Sequence, residues 1–93
     1  MSEFKGTKGK WTSFKPQDGN GFVYVNNEYL TTGTIATCYG DGEEPQANAL
    51  LISKAPEMLE MLKKLVERLE ENDLGRLNAV SQAKQLIKEA TEL

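Results

Sequence analysis

The chain has no histidine and a single cysteine, Cys38. Without histidine it lacks the commonest general base and metal ligand. A lone cysteine cannot complete the usual zinc sets or form an internal disulfide. Arginine occurs only as Arg68 and Arg76, and no aromatic residue follows Tyr39. No apolar run approaches the roughly 18 residues of a membrane span. Met1-Ser2-Glu3-Phe4-Lys5 leads into no apolar signal-peptide core. Gly40-Asp41-Gly42 is too short for a phosphate-binding or dinucleotide loop. These absences predict a cytoplasmic protein with no catalytic residues, no metal and no cofactor.

What is present has ordinary globular proportions. At 93 residues and a net charge of −3, the chain predicts one domain spanning 1–93, a β-sheet half over 1–42 and a helical half over 43–93. Lys5, Lys8, Lys10 and Lys15 balance Glu3, Asp18, Glu28 and Asp41, and the excess acid lies further on. A duplex-DNA binder needs a basic face, and only the N-terminal lysines offer one, so neither duplex nucleic acid nor membrane is an expected partner.

The halves differ in chemistry. The first holds every aromatic and is rich in Thr, Gly and Asn, a composition that suits a half-buried pleated surface. Lys10–Phe14 reads as a strand, Asp18-Gly19-Asn20-Gly21 as a hairpin turn, and Phe22–Val25 as the second strand. Alternation puts Phe22 and Tyr24 on one face, Val23 and Val25 on the other. Asn26-Asn27 reads as a turn. Tyr29–Leu30 and Thr34–Tyr39 follow as a strand or strand pair, with Gly33 as bulge or turn. In Thr34–Tyr39, Ile35, Thr37 and Tyr39 share one face, Ala36 and Cys38 the other.

Leu, Met, Ala, Glu and Lys dominate the second half, and these are good helix formers. Asp41 reads as an N-cap with Glu44 as its partner, opening a short helix with Ala47, Leu50 and Leu51 as its apolar stripe. Pro56 predicts a break near Ala55 and starts a second helix carrying Met58, Leu59, Leu62, Leu65, Val66 and Leu69. Gly75 falls at its end or in the turn beyond. Leu77, Val80, Ala83, Leu86, Ile87 and Ala90 mark the last helix. The fold expected is α+β: an N-terminal antiparallel β-meander of 3–4 strands packed on a C-terminal helical hairpin preceded by a short helix. Met58, Met61, Leu65 and Leu69 cannot all face the surface that takes Leu59, Leu62 and Val66, so a homo-oligomer, at least a dimer, is expected.

The candidate ligand-binding residues are Trp11, Tyr24, Tyr39 and Arg76. Trp11 lies among Lys8, Lys10 and Lys15, a set that suits a planar anion through stacking and charge. The competing reading makes Trp11 a core anchor with solvated lysines around it. Tyr24 and Tyr39 are amphipathic rings suited to an interface, and Arg76 can grip a phosphate. Cys38, in a strand, reads as a small buried hydrophobe. Asn48 reads as a hydrogen-bond partner of the sheet or a turn. Glu67, Glu70 and Glu71, on a helix among lysines, read as a solvated face.

The segment Gln46-Ala47-Asn48-Ala49-Leu50-Leu51-Ile52-Ser53-Lys54-Ala55-Pro56-Glu57-Met58-Leu59-Glu60-Met61-Leu62, preceded by Ile35–Gly40, resembles a family of small bacteriophage and prophage proteins with the pattern A-N-A-x-L-I-x-x-A-P-x-[LM]-L-x-x-L. Trp11 near the N-terminus and a last helix ending like Ala83–Thr91 fit the same family, which carries Gly-Pro where this chain has Gly9-Lys10. The order of sheet then paired helices is also similar to phage anti-Thoeris sponge proteins. Those are oligomeric and sequester cyclic nucleotide immune signals without cleaving them. The resemblance implies a non-enzymatic, phage-encoded binder that counters host defence in the host cytoplasm. It would sequester a small cyclic nucleotide at an oligomer interface. The alternatives are a protein–protein inhibitor of a host defence protein, as anti-CRISPR proteins are, and a structural accessory phage protein.

Overall fold

A computed structural model describes residues 3–16, 21–27 and 33–92. Residues 18–20 of the hairpin turn expected at Asp18-Gly19-Asn20-Gly21 and the strand expected at Tyr29–Leu30 lie outside that set. Three strands are followed by three helices, an α+β architecture: β1 Trp11–Phe14, β2 Phe22–Asn27, β3 Thr34–Tyr39, α1 Glu44–Ser53, α2 Ala55–Glu71 and α3 Asn78–Thr91. The chain divides into two compact units, one of Thr7–Pro56 and one of Glu57–Leu93 with the N-terminal residues through Gly6.

In the first unit the sheet is antiparallel in the order β1-β2-β3. Val23 and Val25 of central β2 are buried, Phe22 is exposed and Tyr24 is half-buried, as the alternation predicts. Asn26 and Asn27 do not turn the chain. They end β2, where Asn27 is buried and pairs with Trp11 of β1. Cross-strand pairing here overrides the local turn preference of asparagine. A second departure lies on β3. Val25 faces Ala36 while Asn26 faces Thr34, so Ile35 is the extra residue of a bulge. Plain alternation put Ile35 with Thr37 and Tyr39, yet it packs against the buried cluster of Val23, Val25, Cys38 and Ala49. Gly33, at φ 80°, stands just before the bulge and is not itself the bulged residue.

The helix that covers this sheet is α1. Its N-cap is Glu43, with no side-chain capping bond and Pro45 in the first turn, so Asp41 is not the cap. Pro45, Ala49 and Ser53 are its buried residues, four apart on one face, and Ile52 packs beside them. The expected stripe of Ala47, Leu50 and Leu51 is exposed, and so is Asn48. Ser53 donates its hydroxyl to the Leu50 carbonyl at 2.7 Å. The helix stops at Lys54, whose N–H reaches the Leu51 carbonyl at 3.1 Å. α2 opens at Ala55 with Pro56 in its first turn, where a missing N–H costs nothing.

In the second unit α2 and α3 share a cluster of Val66, Val80 and Ile87, bordered by Leu59, Leu62, Leu69 and Ala83. Met58 and Leu65 of the expected α2 stripe are exposed, as are Leu77, Leu86 and Ala90 of the last-helix set. A helical face near 100° wide is all that one neighbour can cover. Glu70 and Lys84 link the two helices by an ion pair of 2.9 Å. Thr91 is buried and donates its hydroxyl to the Ile87 carbonyl.

Candidate functional site: an aromatic sheet face

Register decides which side chains share the open face of the sheet. Phe14 faces Tyr24 across β1 and β2, and Tyr24 faces Thr37 of β3. One row along, Phe22 faces Tyr39. These residues alternate with Val23, Val25, Ala36 and Cys38, so they point away from α1. Phe14 is 56% exposed and Tyr39 74%, in a position where hydrophobic rings normally find cover. The Phe22 and Tyr39 rings meet edge to face, 5.8 Å between centroids and 70° between planes. That is a favoured aromatic geometry, and it leaves no parallel slot between this pair for a planar ring.

The candidate ligand residues fall in different places. Tyr24 and Tyr39 belong to the open face. Trp11 pairs with buried Asn27 and packs on the cluster beneath α1, and its indole N–H donates to the Thr7 carbonyl at 3.1 Å. Arg76 is an exposed residue of the turn between α2 and α3, in the other unit. Phe14 and Phe22 were not among the candidates. Phe22 was legible from its i,i+2 spacing to Tyr24. Phe14 needed the β1–β2 register, which hairpin composition does not give.

Cys38 is buried on the α1 side as a free thiol. Among the described residues no group of acidic or cysteine side chains is placed to hold a metal ion. Lys15 lines a shallow depression with Gly40, Gly42 and Gln46 beside the start of α1. Asp41, Glu43 and Glu44 place carboxylates at that same helix start and oppose an anion there. Glu67, Glu70 and Glu71 are exposed and Glu70 is taken by Lys84, consistent with a solvated charged face on α2, while the partly covered Lys63 lies 3.6 Å from Glu60. No helix among the described residues is long and apolar enough to cross a membrane.

Comparison with protein families matches residues 1–92 to the model of Salmonella phage P22 protein Y8K6. The chain belongs to this phage protein family. The match spans both units, and the expectation of a small phage protein holds. Neither a curated protein nor a solved structure matches the chain.

Proposed function

We propose that this member of the phage family is a non-enzymatic binder that acts in the host cytoplasm against a defence function, with the aromatic sheet face as its working surface. The observation that carries this reading is the clustering of Phe14, Phe22, Tyr24 and Tyr39 on the face turned away from α1. A protein partner fits that face best. Interfaces are enriched in aromatic rings, whose large rigid area binds at low entropic cost. The rings lie on a paired sheet surface, and the Phe22–Tyr39 edge-to-face contact suits a broad partner better than an intercalated base. Sequestration of a small nucleotide is the second reading. Tyr24 and Tyr39 sit on one face, and base stacking on such rings is worth ~1–3 kcal/mol each.

The test uses the tagged full chain and its Phe14→Ser/Tyr39→Ser variant in host lysate. A host protein recovered in stoichiometric amount with the wild type and lost with the variant is the expected result. Intact nucleotide released on heat denaturation, with no retained protein, would move the function to sequestration. Chemical conversion of an added signal would overturn the non-enzymatic reading. Equal recovery by both proteins would remove the sheet face from the function.

A further inference from the structure

α2 carries two apolar stripes side by side. Leu59, Leu62, Val66 and Leu69 pack against α3 in the buried cluster. Met58, Met61 and Leu65 form the second stripe and are each about half exposed, at 49%, 56% and 52%. Their i, i+3, i+7 spacing is that of a helix–helix seam, spanning about 10 Å along the axis. One stripe is enough to pack α2 on α3, and the second is left without cover within this unit.

We propose that this seam is a self-association surface, occupied by the α2 helix of a second copy of the chain running antiparallel to the first. The charges beside the stripe select both the partner and the direction. Glu57 lies toward the start of α2, Lys64 and Arg68 lie further on, and all are exposed on the flank of the Met58–Met61–Leu65 row. In a parallel pair the two-fold axis runs along the helices and carries the two Glu57–Lys64–Arg68 flanks to opposite sides of the seam, so neither charge meets its complement. An antiparallel pair centred on Met61 sets Met58 against Leu65 of the second copy. The same register brings Glu57 of each chain to Lys64 of the other, twice by symmetry. The surface is therefore self-complementary in one direction only, as a two-fold interface requires. Arg68, Lys64 and Met61 also line one shallow groove with Leu65, Glu67 and Glu71, which the second helix would fill. With so few apolar side chains the interface lies at the small end of the usual range, so dissociation is expected on the order of micromolar. This inference rests on α2 alone and is independent of the role given to the sheet face.

Sedimentation equilibrium of the full chain tests it. A dimer is expected, lost in Met61→Lys while the far-ultraviolet circular dichroism spectrum stays that of the wild type, because Met61 is exposed in the single chain. Glu57→Lys and Lys64→Glu should each weaken the dimer at least several-fold, since each turns both flanking pairs repulsive. Mixing those two variants should restore association, because every flanking pair in the mixed dimer is again opposite in sign. A chain that stays monomeric at high micromolar concentration overturns the proposal. So does a dimer indifferent to Met61→Lys, or a mixture that associates no better than its components.

Discussion

Asp73 is held at φ 60°, the one non-glycine at positive φ among the described residues. The cause is the way α2 ends. The Leu74 N–H donates to the Leu69 carbonyl at 2.7 Å and the Asp73 N–H to the Glu70 carbonyl at 3.2 Å, the paired bonds of a Schellman closure. That motif requires a left-handed residue at the position Asp73 occupies. Gly75, the residue the sequence suggests for the role, lies two places later in the following turn and has no positive φ. Composition pointed to the glycine because glycine is the usual solution. Aspartate is among the few residues that tolerate the geometry at modest cost. Asp73→Gly is therefore expected to stabilise the chain by about 0.5–1 kcal/mol, raising the melting temperature by several degrees. A thermal melt checks it. A lower midpoint would mean that the Asp73 side chain contributes more locally than its backbone strain costs.

α1 shows where an element's existence is legible and its orientation is not. Pro45 and Pro56 bracketed the helix correctly, and its composition fixed its type. Leu50, Leu51 and Ile52 are consecutive, so periodicity did not choose a buried face. The sheet chose it, by bringing Ala49 to full burial against Val23, Val25 and Cys38. Such an approach admits a methyl group and little more. Ala49→Leu is expected to destabilise by about 1–3 kcal/mol through overpacking, whereas Leu50→Ser, at a site 56% exposed, should stay within about 0.5 kcal/mol of wild type. Urea titration of the two variants distinguishes this phase from the one that buries Leu50. The reverse order of effects would show the helix rotated by one residue. Strand β2 was easier to read, since Val23 and Val25 alternate cleanly with two aromatics. The bulge at Ile35 was hidden, because no residue type demands it and only the pairing of Asn26 with Thr34 reveals it.

Across the whole molecule, each unit has its own buried cluster and its own exposed apolar surface, and the two surfaces differ in charge. Thr12, Phe14, Phe22, Tyr24, Asn26, Thr37 and Tyr39 of the open sheet face include no ionisable carboxylate, lysine or arginine. The seam on α2 is bordered by Glu57, Lys64 and Arg68. The segregation of aromatics into the first half is plain in the amino-acid order alone. Their division between faces is not, with Trp11 under α1 and Phe14, Phe22, Tyr24 and Tyr39 opposite, because strand pairing decides it. Salt separates the two surfaces. Ion pairs exposed at a rim are screened as the Debye length falls from about 10 Å at 0.1 M to about 3 Å at 1 M, while apolar contact is not. Raising salt through that range is expected to weaken α2-mediated self-association several-fold. Capture of a partner by the sheet face should change by less than about threefold. Both are read on the same full chain, one by sedimentation and the other by surface plasmon resonance with the recovered partner. Partner binding that collapses with salt would place its energy in charges, not rings, and point to the N-terminal lysines instead of Phe14 and Tyr39.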